Sequence, residues 1–162
     1  MKLEKKVLHL LERDAKLSPK TIATMLEEDE QKIIDIIKKL EDEKYILGYN
    51  TIINWERLGE DGVTAMIDVK VTPEREFGFN NVAERISRFP EVRCVYLMSG
   101  TYDLSVTVCC KTMKEIAWFV SHKLSTLEQV QSTTTHFVLK RYKQDDFLFE
   151  EPVTDKRLVV SP

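Results

Sequence analysis

An α+β fold in two unlike parts is what this sequence predicts, and three observations predict it. Apolar residues follow a helical period from Lys2 to Lys44, the period shortens to two beyond that point, and the second part runs strand, helix, strand, strand, helix, strand. The 162 residues leave room for one ordinary domain or two small ones with a real core. With 43% hydrophobic and 31% charged residues the composition is globular. No stretch approaches the ~20 consecutive apolar residues of a membrane span. The expected location is the cytoplasm, because the opening MKLEKKVLHLLERD scatters charges through its apolar positions.

In the first part, residues 1–50, three short helices are expected. Leu3, Val7, Leu10 and Leu11 form the stripe of the first. Ser18-Pro19 opens the second, an N-cap followed by proline at the first helical position, and Ile22, Ala23 and Leu26 are its apolar face. Asp29 caps the third, which puts Ile33, Ile37 and Leu40 on one side and ends near Lys44. A tight turn before the last of three helices is the pattern of a helix-turn-helix module. The run YILGYNTIINW that follows is rich in β-branched and aromatic residues, which suits a wing or a connecting strand; residues 51–62, with Gly59 and Gly62, form the linker.

The second part, residues 63–143, is expected to be a βαββαβ ferredoxin-like domain, an antiparallel sheet with both helices on one face. Its first strand alternates Ala65, Ile67, Val69 and Val71 against Met66, Asp68 and Lys70. The stripe Phe79, Val82, Ala83, Ile86 and Phe89 marks the first helix, and Pro90 stops it. Strands at 92–98 and 102–110 flank Ser99-Gly100-Thr101; a capping box at Thr112 and Glu115 starts a helix that buries Met113, Ile116, Ala117, Val120 and Leu124; a last strand spans 130–142. One sheet face is left without helices although its strands carry apolar residues on both sides, Val95 and Leu97 opposite Cys94, Tyr96 and Met98, so a homodimer through that face is expected. In the tail, 144–162, the clusters Phe147 to Phe149 and Leu158 to Val160 are expected to dock on a neighbouring subunit.

Chemistry that the sequence lacks narrows the function. Cys109 and Cys110 are adjacent on a strand and point to opposite faces, and His9, His122 and His136 are far apart, so neither a disulfide framework, a metal site nor a cofactor is expected. No catalytic constellation is apparent. The net charge of -3 excludes a uniformly basic nucleic-acid binder.

Three stretches carry a resemblance. Leu40-Glu41 followed by Tyr45-Ile46-Leu47-Gly48-Tyr49, the run from Val92 to Asp103 with its Ser99-Gly100 turn and Tyr102-Asp103 pair, and Val130 to Thr135 together resemble the Lrp/AsnC (leucine-responsive, feast/famine) transcriptional regulators, over nearly the whole chain. The resemblance implies a winged helix-turn-helix followed by a RAM-type domain that dimerises, assembles further and binds an amino acid or similar effector between subunits. The matching residues suit that role. Ser99, Gly100 and Thr101 can turn backbone donors toward a carboxylate without a Cβ in the way, Asp103 can receive an ammonium group, Thr133 and Thr135 offer two hydroxyls, and Tyr102 forms a wall.

On the DNA side the candidates are Gln31 and Lys32 for base edges, with Lys20, Thr21, Lys38 and Lys39 for the backbone. The recognition helix departs from the family: residues 29–42 hold five acids against three bases, and Asp35 stands where members often carry a positive residue. Residues 1–50 hold ten bases and eleven acids. Binding to double-stranded DNA is therefore expected to be weak per module, salt-dependent and cooperative in an oligomer. Two alternatives stay open: an oligomeric sensor that has lost specific DNA binding, and an enzyme similar to the siroheme decarboxylases, which resemble the same family.

Overall fold

The computed structural model describes residues 2–59, 62–73, 75 and 78–149. Contacts divide the chain into two compact units, Met1–Ile52 and Ile53–Pro162.

In the first unit α1 (Lys2–Arg13), α2 (Pro19–Leu26) and α3 (Glu30–Asp42) surround a core of Val7, Leu11, Ile22, Ala23, Ile33 and Leu40. The starts of α2 and α3 are set by side chains: Ser18 Oγ accepts the Thr21 N–H at 3.1 Å, and Asp29 Oδ1 accepts the Lys32 N–H at 3.2 Å. Between them Glu27 sits at φ 54°, and the N–H groups of Glu27 and Glu28 close on Thr24 and Ala23 carbonyls. That left-handed residue makes the turn tight enough for α3 to cross α2. It is a conformation glycine adopts freely and a glutamate adopts at a cost.

No wing or strand forms in 43–59 among the described residues. Lys44 at φ 62° and the Ile46 N–H bonded to the Leu40 carbonyl fold the chain back on α3, so no hairpin partner arises for the β-rich run. Leu47 is left 88% exposed. Trp55–Leu58 forms a 3-10 turn instead, capped by Asn54 and ended by Gly59 at φ 70°.

The second unit is a four-stranded antiparallel sheet in the order β2-β3-β1-β4, with β1 (Val63–Val71), β2 (Val92–Leu97), β3 (Leu104–Cys110) and β4 (Val130–Phe137). α4 (Asn80–Ser87) and α5 (Met113–Phe119) pack Val82, Ile86, Ile116 and Phe119 on the buried side of the strands, against Ile67, Val69, Leu104, Val106 and Val108. The expected βαββαβ domain is therefore present. Its helix α5 differs in detail: a π-helical turn (Val120–Leu124) follows it, the buried stripe is Ile116, Phe119 and Leu124, and Met113 is 53% exposed. The extra residue in a π turn rotates the apolar face away from plain helical spacing. Ala117 is likewise exposed.

β4 ends at Phe137 rather than 142 because β1, its partner, has no residues left beyond Val63; the Val138 N–H makes the last link, to the Thr64 carbonyl. A short hairpin follows, β5 (Lys143–Gln144) and β6 (Phe147–Leu148). Leu158 to Val160 lie outside the described residues.

By strand alternation the face turned away from the helices carries Met66, Asp68 and Lys70 of β1, Ser105 and Thr107 of β3, Tyr96 of β2, and Thr134 and His136 of β4. Cys94, paired with Thr107, lies on it too, so the face mixes polar and apolar groups. Met66 and Tyr96 are its large exposed apolar groups.

Candidate functional site

The β2–β3 connection, residues 98–103, is where the sequence places effector chemistry. Its neck is closed by the Met98 N–H donating to the Asp103 carbonyl at 2.8 Å, and the Asp103 N–H reaches across to the Val69 carbonyl at 3.1 Å. That cross-link takes Tyr102 and Asp103 out of β3, which starts at Leu104. Ser99, Gly100 and Thr101 are exposed at the tip. Nothing lies within 4 Å of where a Cβ on Gly100 would stand, so the backbone there is open to a visitor.

Asp103 is not an idle acceptor. Its Oδ2 accepts the Val71 N–H at 2.9 Å and its Oδ1 the Lys70 ammonium at 3.1 Å. The Val71 N–H, together with Lys70, holds the Asp103 carboxyl below the usual carboxylate range, against a smaller opposing push from burial. The residue thus clamps the loop to β1, and Lys70 brings a positive charge to its side that sequence reasoning missed. The signal was available, since Lys70 falls on the outward set of the β1 alternation.

The threonines are rearranged too. Thr133 and Thr135 pair with Val69 and Ile67, whose side chains lie in the core, so they face the helix side. Thr134 faces the other way, and its Oγ1 lies 2.9 Å from the Tyr102 hydroxyl. Thr133 and Thr135 face the same way, as their two-residue spacing requires, and that way is toward the helices. Beyond Thr134, His136 Nε2 stands 3.3 Å from Asp68 Oδ2.

In the helix-turn-helix unit the DNA candidates lie on α2 and α3, all exposed, and most are already engaged. Thr21 Oγ1 is 2.8 Å from Ser18 Oγ, Gln31 Nε2 donates to Asp35 Oδ1 at 3.0 Å, Lys32 Nζ donates to Glu28 Oε2 at 2.7 Å, and Lys39 Nζ donates to Glu4 Oε1 at 2.8 Å. The Glu4 carboxyl is pushed down to about 2, chiefly by its hydrogen bond from the Lys39 ammonium. Lys20 and Lys38 form no ion pair among the described residues.

A three-helix module with helix-turn-helix spacing, followed in the chain by a ferredoxin-like domain with a pinned β2–β3 loop, is an architecture found among transcriptional regulators. Comparison with known proteins makes this specific. The Lrp/AsnC ligand binding domain matches residues 64–148. YugG of Bacillus subtilis (strain 168), an uncharacterized HTH-type transcriptional regulator, is 53% identical over 160 residues, 98% of this chain and 96% of its own. The chain therefore belongs to the Lrp/AsnC family, and it is a transcriptional regulator of that type. Solved structures agree on the fold. The leucine response regulatory protein of Mycobacterium tuberculosis matches with TM-score 0.73 at 17% identity over 91% of this chain and 98% of that one. A transcriptional regulator of Neisseria meningitidis, solved as an L-Met complex, matches with TM-score 0.68 at 22% identity over 89% and 95%. Among the described residues no helix is long and apolar enough to cross a membrane.

Proposed function

We propose that this regulator binds double-stranded DNA through α2 and α3 and couples that binding to a small amino-acid-like effector held at the 98–103 loop, within a homodimer that assembles further. The observation that carries the reading is the Lys70–Asp103 pair beside the open backbone at Gly100: an ammonium and a carboxylate 3.1 Å apart at an exposed loop. A free amino acid presents the same two charges. Its ammonium group replaces Lys70 at Asp103 Oδ1, while its carboxylate meets the released Lys70 and the N–H groups of Ser99, Gly100 and Thr101. Tyr102 and Thr134 line the approach; Thr133 and Thr135 take no part. The L-Met bound to the Neisseria protein supports this ligand class.

On the DNA side, Lys20 and Lys38 meet phosphates directly, whereas Lys32 and Lys39 must first leave Glu28 and Glu4. Exposed ion pairs are worth only ~0–1 kcal/mol, so arriving phosphates can exchange them, but the carboxylates stay nearby and repel. Each module then binds weakly, and several modules in one oligomer bind together. The same ion pairs favour a second reading, a sensor without specific DNA binding. Anisotropy titration of the gene's upstream fragment, from low to moderate salt and with and without pooled amino acids, separates the two. Salt-dependent, ligand-modulated binding supports the regulator; absence of binding at low salt in every ligand condition leaves the sensor.

A further inference from the structure

We propose that Asp35 sets the base preference of α3, by fixing the Gln31 amide for an adenine edge and by accepting only a neighbouring base with an amino group in the major groove, cytosine above all. The inference rests on the DNA-binding reading above and adds what the helix reads.

The placement follows from packing. Ile33 and Leu40 are buried, and Ile36 and Ile37 pack against the same core. At 100° per residue, Gln31, Asp35 and Lys38 stand on the opposite side of α3, and all three are exposed. Gln31 and Asp35 are one turn apart, in the part of a recognition helix that meets base edges.

Their hydrogen bond determines what they offer. Gln31 Nε2 donates to Asp35 Oδ1 at 3.0 Å. The reversed amide would set Gln31 Oε1 against a carboxylate, two acceptors facing each other. In the bonded orientation one N–H and the carbonyl oxygen of Gln31 remain for DNA. These are the groups that adenine N7 and N6 require.

Asp35 itself can only accept. Cytosine N4 and adenine N6 satisfy it, whereas guanine N7 and O6 or thymine O4 would confront it with further acceptors. No cation neutralises it: Asp35 forms no ion pair among the described residues, and Lys32 and Lys39 are held by Glu28 and Glu4. An acid on this face lowers affinity for every sequence through the phosphates and raises discrimination at one position. The first effect falls on specific and non-specific complexes alike and leaves their ratio unchanged; the second raises it.

The test is selection from a randomised duplex pool at low salt, using the full-length protein and the variants Asp35→Ala, Asp35→Asn and Gln31→Ala, with far-UV circular dichroism to verify that each retains its helices. The wild type should enrich adenine next to an amino-bearing base by about tenfold over guanine or thymine at that position. Asp35→Ala should bind mixed-sequence DNA more tightly and lose that preference. Asp35→Asn, which can donate as well as accept, should admit guanine and thymine. Gln31→Ala should lose adenine alone. A wild-type motif with guanine or thymine there, no motif at all, or a motif unchanged in Asp35→Ala overturns the inference while leaving DNA binding intact. No binding by the wild type in any ligand condition overturns the DNA-binding reading and this inference with it.

Discussion

In the helix-turn-helix unit Lys32 and Lys39 are tied to Glu28 and Glu4 by ion pairs on the surface, whereas in the sheet unit Asp103 is tied to the backbone N–H of Val71 as well as to Lys70. Side-chain pairs between long, exposed residues are cheap to exchange. A carboxylate anchored on the backbone of the central strand fixes where a loop can be. The difference suits the two tasks proposed: one surface must reorganise when a polyanion arrives, and the other must present backbone donors in one place.

The largest effects should come from emptying one core at a time. Phe119→Ala is predicted to cost the sheet unit about 3–5 kcal/mol and Ile33→Ala the helical unit about 2–5 kcal/mol. Both tryptophans, Trp55 and Trp118, lie in the sheet unit, so fluorescence reports that unit while far-UV circular dichroism reports both. Phe119→Ala should shift the fluorescence midpoint in denaturant, and Ile33→Ala should lose helical signal ahead of it.

Next comes the clamp. Because the Asp103 pKa is lowered in the folded chain, its contribution is complete above the ordinary carboxylate value and is lost as pH falls through the lowered one. Hydrogen exchange at the Val71 amide should therefore lose protection in acid. In Asp103→Ala, which has no side-chain acceptor, it should be weakly protected at every pH; full protection in the variant would mean that the clamp is not what orders the loop.

Smaller effects belong to the helical unit. Glu27→Gly relieves the left-handed backbone and is predicted to stabilise by up to about 1 kcal/mol, measured by thermal unfolding. Glu4→Gln releases Lys39 and should steepen the salt dependence of DNA binding by up to about 0.9 in log–log slope. The Glu4–Lys39 pair also carries a pH signature: with the Glu4 carboxyl at about 2 when folded, its stabilisation is present above the unfolded value near 4.5 and disappears as pH falls toward 2. A salt slope and an affinity both unchanged in Glu4→Gln would show that Lys39 does not reach phosphate.

What was legible in the sequence was whatever is decided locally. The caps Ser18, Asp29 and Thr112 each act through the residue three positions on, and the β1 alternation is a property of one strand, so both could be read directly. The candidate loop was legible as a position. Its bonding was not, because Asp103 finds its partners 32 and 33 residues away on β1. Thr134 shows the same limit: a run of three threonines says nothing about which faces the loop until the register with Ile67, Asp68 and Val69 is known. The wing failed for the complementary reason, since a β-rich run makes a strand only where a partner strand exists.

A thermal-shift panel of the free amino acids on the wild type and on Gly100→Ala tests the effector site most directly. An alanine at 100 meets no other group within 4 Å, so it should leave the unliganded midpoint unchanged and obstruct only an approaching ligand. An effector site at the 98–103 loop predicts that at least one amino acid raises the wild-type midpoint, by the equivalent of about 2.7 kcal/mol at a hundredfold excess over Kd, and that Gly100→Ala loses the response. No shift with any amino acid, or an equal shift in the variant, would contradict it.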